Sequence, residues 1–199
     1  SIKLGIFYSL ILCILAFVIL INFNLLTIIL ALASMPFAFT YPLMKRYTYW
    51  PQLFLGITFN YGLILGWTAV QNNLDLPAII FYIGAIFWTL GYDTIYGYQD
   101  IKDDEIIGLK STSIKFQGNA KKFLFLCYIF LLIFFLIGGY IIKFNFIYYL
   151  LTILPFLHLF FYQMKIFDLK NPSSCLKAFQ SNNLFGLIIF LNLIICKNL

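Results

Sequence analysis

Long apolar stretches alternate with short polar turns along the whole chain. A window of about 19 residues selects segments apolar enough to cross a bilayer at roughly 4–21, 25–43, 52–70, 77–97, 123–142, 146–163 and 183–196. The stretch FLFLCYIFLLIFFLIGGYII is apolar on every face, whereas strands of a membrane barrel alternate apolar and polar residues. The pattern therefore predicts an all-α protein, a multi-pass transmembrane bundle of about seven helices.

The polar segments between these stretches indicate where the chain turns. FNFN and NNLDLP are typical of turns between spans, and DLKNPSSCLK is expected to break the chain before the last span. No internal repeat and no shift in composition divides the sequence. We therefore expect residues 1–199 to form a single transmembrane domain.

The composition excludes a soluble protein. Hydrophobic residues make up 63% of the chain and charged residues 10%, whereas soluble proteins carry roughly 25% charged residues. The mean hydropathy is +0.95. A chain of this kind is expected to use lipid as its solvent, where helices satisfy their own backbone polar groups.

The basic residues predict the orientation in the bilayer. If residue 1 and every second loop lie on one side, that side receives eleven of the thirteen Lys and Arg residues, and Lys143 and Lys197 fall on the other side. Such an asymmetry marks the cytoplasmic side of a membrane protein. The net charge of +6 is accordingly assigned to topology and to contact with anionic lipid headgroups, and no nucleic-acid partner is expected.

The acidic residues gather in one segment. Five of the seven acidic side chains lie between residues 92 and 118. If the fourth span continues as a helix beyond the bilayer, Asp93, Gly97, Asp100 and Asp104 share a stripe roughly 40° wide. Carboxylates so placed repel one another unless a cation lies among them. The alternative interpretation is a solvated acidic loop.

A divalent metal would supply that cation. Hard oxygen ligands favour Mg²⁺ or Ca²⁺, and Mg²⁺ takes one or two carboxylates and fills its other positions with water and substrate phosphates. Lys45 and Arg46 end the second span on the same side of the membrane, and Lys110 follows the acidic segment. These basic residues are suited to the outer oxygens of a diphosphate.

Two motifs carry a family resemblance. YDTIYGYQDIKDDEIIGLKSTS closely resembles the second aspartate-rich motif of the UbiA family of membrane prenyltransferases, and YPLMKRYTYWPQLFLGITFNYGLILGW resembles the central segment of that family. Both motifs are most similar to the branch that prenylates 4-hydroxybenzoate in ubiquinone synthesis. Gly97, where Ala is usual, and Ser113, where the family commonly has Ala, are small departures.

The resemblance extends over essentially the whole chain. It implies helices three to nine of a nine-helix fold, with the NDxxDxxxD motif of the family lying upstream of residue 1. The chain also opens without an initiator Met or a signal-peptide pattern. We therefore expect an N-terminally incomplete domain, whose first aspartate-rich motif lies on an upstream fragment.

The resemblance also implies site residues and chemistry. Asp100 and Asp104 would hold Mg²⁺ on a polyprenyl diphosphate, and Asp93 and Tyr96 would lie near the reacting centre. Further residues implied in the site are the diphosphate ligands Lys45, Arg46 and Lys110 and the neighbouring Gln52 and Asn60. Aromatic faces could stabilise an allylic cation, with packing or anchoring at the membrane interface as the alternative for each: Trp67, Trp88, Tyr96 and Tyr98.

The expected reaction is transfer of the polyprenyl group to the ring of 4-hydroxybenzoate. The location would be the bacterial cytoplasmic membrane or the mitochondrial inner membrane, with the site on the cytoplasmic or matrix side. Other acceptors of the family, namely a naphthoate, haem or homogentisate, stay open. So do an inactive fragment and a membrane transporter that uses the carboxylates for cations.

Overall fold

The structure is a bundle of helices. The computed structural model describes residues 2–197, and within that range there is no β-strand. The α-helices of this range are α1 (Ile2–Leu20), α2 (Leu25–Thr40), α3 (Met44–Tyr47), α4 (Pro51–Phe59), α5 (Tyr61–Gln71), α6 (Leu76–Gly97), α7 (Ile101–Ile107), α8 (Thr112–Lys115), α9 (Ala120–Ile142), α10 (Phe146–Leu151), α11 (Ile153–Leu157), α12 (Met164–Ile166), α13 (Pro172–Gln180) and α14 (Asn182–Lys197).

Several of these helices join into longer membrane segments. Within residues 2–197, seven segments are long and apolar enough to span a bilayer: Ile2–Leu20, Leu25–Tyr47, Pro51–Gln71, Leu76–Gly97, Gln117–Ile142, Phe146–Ile166 and Pro172–Lys197. The protein is therefore an integral membrane protein, and the predicted all-α bundle of about seven spans is confirmed.

The last span is longer than the sequence pattern predicts. The expected break through DLKNPSSCLK is wrong for its second half, because the helix already begins at Pro172. Asn171 accepts hydrogen bonds from the amides of Ser173 and Ser174, and proline is favoured in the first helical turn. The chain bends again at Ser181 and continues as α14.

The two long helices α6 and α9 pack together along the centre of the bundle. Small residues permit this close contact, as is common between membrane helices. A Cβ atom on Gly91 of α6 would lie only 2.5 Å from Cε1 of Tyr128 on α9. At the periphery, α1 has no buried residue.

A polar contact ties α2 to α5. The Oδ1 of Asn24 caps α2 by accepting the amide of Thr27 at 2.9 Å, and its Nδ2 donates to the carbonyl of Thr68 at 2.8 Å. The hydroxyls of Thr27 and Thr68 are 3.0 Å apart and buried. This contact fixes the end of the helix pair remote from the acidic segment.

The acidic segment is not a continuation of the fourth span. α6 ends at Gly97, the chain turns through Tyr98 and Gln99, and α7 begins at Ile101. The amide of Tyr98 donates to the carbonyl of Ile95, one residue short of the α-helical partner. The predicted single helical stripe from Asp93 to Asp104 is therefore wrong, because the helix closes in a tight turn between them.

Candidate functional site

A polar pocket lies where the cytoplasmic ends of three spans meet, the cytoplasmic side being the one predicted from the basic residues. Its volume is about 240 Å³, and its walls come from the end of the second span, the start of α4 and the last turns of α6. The residues that line it are Tyr41, Pro42, Lys45, Pro51, Gln52, Leu55 and Asp93. Three residues assigned from the sequence thus share one pocket, namely Lys45, Gln52 and Asp93.

Lys45 links the pocket to the acidic segment. Its Nζ lies 3.5 Å from Oδ2 of Asp104, and within residues 2–197 this is the only ion pair. Asp104 is buried, whereas the Lys45 side chain is 47% exposed. The same ammonium acts electrostatically on Asp93. Lys45 therefore interacts with two carboxylates from different helices, which the break after Gly97 places on separate elements.

The Asp93 carboxylate accepts no hydrogen bond from any described residue between 2 and 197. It is only partly exposed, and it lines a pocket whose nearest cation is Lys45. A carboxylate in such surroundings favours a cationic or hydrogen-bond-donating ligand, because burial without a partner costs free energy. Asp93 is thus the carboxylate of the pocket with open ligand positions.

A buried polar cluster supports the floor of the site. Gln52 is 3% exposed, and its Oε1 accepts the amide of Thr112 at 2.9 Å. The hydroxyls of Thr94 and Thr112 lie 2.6 Å apart, and the hydroxyl of Ser113 donates to the carbonyl of Thr94 at 2.8 Å. These bonds dock the segment after α7 against α4 and α6. They also fix the side chain of Gln52, which lines the pocket.

This supporting role was missed in the sequence. The Ser-Thr-Ser run at 111–113 lies in a charged segment, but all three residues are buried. A run of small hydroxyl residues in a charged segment between two membrane spans is a signal for a segment that folds back onto the protein, since such residues bond readily to the backbone. The hydroxyl of Ser111 also caps α8 through the amide of Ile114.

The other basic residues lie at the rim. The amide of Lys110 donates to the carbonyl of Lys45 at 2.8 Å, and its Nζ donates to the carbonyl of Tyr47 at 3.3 Å. Arg46 follows Lys45 in α3 and is exposed. The structure therefore brings Lys45, Arg46 and Lys110 to one edge of the molecule, although Lys45 alone of the three lines the pocket.

The assigned residues Asp104, Asp100 and Tyr96 also lie outside the pocket lining. Asp100 precedes the first turn of α7 and is exposed, one helical turn before Asp104. Tyr96 is 41% exposed and packs on the ring of Phe179 in α13, with centroids 4.8 Å apart.

A larger, apolar cavity shares helix α6 with the polar pocket. Its volume is about 460 Å³, and helices α5, α6, α9 and α14 contribute most of its wall. The side-chain nitrogens of Asn60, Trp67 and Trp88 in this wall all donate hydrogen bonds within the protein. Asn60 donates to the hydroxyl of Thr89 at 2.7 Å, and Trp88 donates to Oδ1 of Asn182 at 2.8 Å. The cavity therefore presents apolar surface to whatever enters it.

The aromatic residues assigned from the sequence lie in different parts of the structure. Trp67 and Trp88 line the apolar cavity. Tyr98 is buried against Phe167, with ring centroids 5.6 Å apart, and neither cavity includes it. Burial raises the pKa of the Tyr98 hydroxyl, since the charged form is desolvated. Its side chain is a packing residue at the base of the acidic segment.

The carboxylates do not form a metal site by themselves. Between residues 2 and 197, no three His, Cys, Asp or Glu side chains are grouped closely enough to hold one ion. Mg²⁺ needs only one or two protein carboxylates where phosphate oxygens and water complete its coordination. Asp93 and Asp104, which both interact with the ammonium of Lys45, are two carboxylates of this kind.

Comparison with known proteins gives a consistent result. The sequence matches the UbiA prenyltransferase family over residues 1–194. It is 41% identical over 179 residues to 4-hydroxybenzoate geranyltransferase 2 of Lithospermum erythrorhizon, covering 89% of this chain and 58% of that protein. It is 43% identical over 188 residues to the mitochondrial 4-hydroxybenzoate polyprenyltransferase of Bos taurus, covering 92% of this chain and 50% of that protein. The chain thus spans about half the length of the curated relatives it matches.

Two solved structures share the fold. A digeranylgeranylglyceryl phosphate synthase has a TM-score of 0.71 at 22% identity, over 95% of this chain and 67% of that one. A UbiA homolog from Aeropyrum pernix K1, solved in the apo form, has a TM-score of 0.71 at 21% identity, over 88% of this chain and 66% of that one. The helical bundle is therefore of a known type.

Proposed function

Since the chain belongs to the UbiA prenyltransferase family, we propose that it forms part of an enzyme that transfers a polyprenyl group to 4-hydroxybenzoate. The donor is a polyprenyl diphosphate, and the product belongs to ubiquinone synthesis. Support comes from relatives named for this acceptor, at 41% and 43% identity over about nine tenths of the chain.

The observation that carries the proposal is the arrangement of the two cavities. Asp93 lines the polar pocket and Trp88 lines the apolar cavity, and both are on α6. They are five positions apart along the helix, which corresponds to a rise of about 7.5 Å. A substrate with a diphosphate head and an isoprenoid tail has the same succession of charged and apolar parts. Its reactive allylic carbon would then lie between Asp93 and Trp88.

The basic residues of the rim hold the departing diphosphate. Lys45, Arg46 and Lys110 offer positive charge at one edge of the pocket, and stabilising the leaving group favours heterolysis of the allylic C–O bond. Asp100 and Asp104 would hold Mg²⁺, which would supply further Lewis-acid stabilisation of the leaving group. The electron pair of the broken bond stays on the diphosphate, and an allylic cation results.

The acceptor ring completes the reaction. The ring carbon ortho to the hydroxyl of 4-hydroxybenzoate attacks the allylic cation and forms the new C–C bond. Loss of the ring proton restores aromaticity. The apolar wall around Trp88 protects the cation from water, and an aromatic face stabilises positive charge through its quadrupole.

Lys45 must change partners during this cycle. The lysine side of its ion pair with Asp104 is about half exposed, so the ammonium is accessible to a ligand from solvent. A diphosphate carries more negative charge than one carboxylate, so the exchange is favourable. Asp104 is then released to a metal ion that accompanies the substrate.

The proposed enzyme also includes the part of the relatives' length that this chain does not match. Because the curated relatives are longer, with 50–58% of their length matched, activity requires further chain that carries the first aspartate-rich motif. That part is joined upstream or is supplied as a separate fragment. The complete enzyme lies in the bacterial cytoplasmic or mitochondrial inner membrane, with the pocket on the cytoplasmic or matrix side, as the basic residues indicate.

The test is an assay of prenyl transfer in membranes. The chain is fused to the amino-terminal part of a curated relative and supplied with labelled polyprenyl diphosphate, Mg²⁺ and 4-hydroxybenzoate. We expect prenylated 4-hydroxybenzoate, and little product with a naphthoate or homogentisate. Asp100→Ala or Asp104→Ala should lower turnover by about a hundredfold or more without unfolding.

Glu105 provides the matched control. It is exposed in the same helix as Asp104 and, unlike Asp104, makes no ion pair with Lys45, so Glu105→Ala should leave turnover unchanged. Equal loss in Glu105→Ala and Asp104→Ala would show a general charge effect and would count against the assigned ligands. Normal turnover in both Asp100→Ala and Asp104→Ala would remove these residues from the site.

A further inference from the structure

A second charged depression lies on the cytoplasmic side, between the start of α9 and the turn that precedes α13. Its volume is about 420 Å³, which is within the range of small-ligand sites, roughly 300–1,000 Å³. We name it the basic groove, after Lys121, Lys122 and Lys170, which line it. None of these residues takes part in the polar pocket.

The groove carries uncompensated positive charge. Its titratable side chains are the three lysines and Asp168, which leaves a net charge of +2. Across residues 2–197 the single ion pair involves Lys45, so no carboxylate pairs with Lys121, Lys122 or Lys170. Such a set of ammonium groups favours an anionic ligand.

Asp168 belongs to the frame of the groove. Its Oδ1 accepts the amide of Lys170 at 3.0 Å, and its carbonyl accepts the hydroxyl of Ser174 at 2.9 Å. The amide of Asp168 donates to the Ser174 hydroxyl at 3.0 Å. These bonds fix the turn and thereby hold Lys170 opposite the start of α9.

The surface next to the groove faces lipid. Phe125 and Leu126 follow Lys121 and Lys122 by one helical turn, so each pair lies on one face of α9. Phe125 is 47% exposed and Leu126 is 46% exposed, within a membrane-spanning segment. The groove thus lies at headgroup level, directly above an apolar surface suited to acyl chains.

From this geometry we propose that the basic groove binds the phosphate of an anionic phospholipid, whose acyl chains lie along Phe125 and Leu126. Basic pockets between membrane helices on this side recognise acidic headgroups by the same chemistry. The apolar surface below the lysines favours a lipid over free phosphate, which would have no use for it. The proposal does not depend on the transferase activity.

The test uses the full chain purified in a neutral detergent. Phosphatidylglycerol or phosphatidylcholine is added, and bound lipids are counted by native mass spectrometry. The triple variant Lys121→Gln, Lys122→Gln, Lys170→Gln should lose phosphatidylglycerol affinity by about tenfold or more. The control Lys3→Gln, Lys165→Gln, Lys177→Gln removes the same charge from exposed lysines outside the groove and should retain it.

Two further arms keep the result decisive. Inorganic phosphate at millimolar concentration should not displace phosphatidylglycerol, and efficient displacement would overturn the lipid assignment in favour of a free phosphate ion. If the triple variant fails to fold, Lys170→Gln alone takes its place. It changes one exposed turn residue and should weaken phosphatidylglycerol binding. Equal binding of phosphatidylcholine and phosphatidylglycerol, or equal loss in the control variant, would overturn the proposal.

Discussion

Gly97 and Ser113 should be energetically coupled, because the space of one side chain is used by the other. A Cβ atom on Gly97 would overlap Oγ of Ser113 and would lie 3.3 Å from its Cβ. The Ser113 hydroxyl occupies the space that a side chain at position 97 would need.

The size of the effect follows from these contacts. Gly97→Ala forces the buried Ser113 hydroxyl away from the carbonyl of Thr94, and overpacking of this kind costs about 1–3 kcal/mol. Ser113→Ala removes the 2.8 Å hydrogen bond to Thr94, which is a loss of about 1 kcal/mol. In the double variant the overlap is gone, so we expect about 1 kcal/mol in total, well below the sum of the two single losses.

The measurement is the free energy of unfolding in mixed micelles, followed by circular dichroism as a denaturing detergent is added. The four proteins of the cycle are compared with Gly66→Ala, since a Cβ on Gly66 meets no atom within 4 Å. That control should be neutral or slightly stabilising, because alanine favours helix. Additive losses in the cycle, or a harmless Gly97→Ala, would refute the reasoning.

Three further outcomes are expected. Gln52→Leu should lower the free energy of unfolding by about 1–3 kcal/mol, because the amide of Thr112 loses its buried acceptor, and thermal unfolding checks this against the exposed Gln117→Leu. Gly186→Leu should narrow the apolar cavity, because a Cβ at this position already lies 3.6 Å from the Trp88 ring. When short and long prenyl diphosphates compete in the fused enzyme, the product should then shift toward the short donor. Removal of Mg²⁺ by a chelator should abolish binding of the diphosphate substrate measured by calorimetry, and retention of binding would count against the metal assignment.

The seven spans could be predicted because each depends on local composition. The stretch 123–142 is apolar for its whole length, and in lipid such a stretch has helix as its favourable form. The residues at which the spans begin and end were less predictable. Asn171 and Pro172 form a helix start within a polar run, and a hydropathy average cannot detect a cap.

The candidate site depended on tertiary contacts that a pattern along one helix does not contain. Extrapolating α6 through Asp104 treated the acidic segment as local structure, whereas the break after Gly97 accompanies the Ser113 hydroxyl that bonds to the last turn of α6. The same fold-back brings Lys110 to the carbonyl of Lys45, 65 positions earlier in the sequence. The sequence could identify the charged residues, but their grouping around Lys45 arises from the segment that follows them.

The ion pair with Lys45 also offsets the free-energy cost of burying the Asp104 carboxylate. Asp104 is 7% exposed, and a buried charge without a partner is strongly destabilising. Lys45 supplies that partner from a separate span, and its own exposed side remains in water. The ion pair can therefore stabilise the folded protein while staying weak enough to be exchanged, which a fully buried pair could not do without a large desolvation penalty.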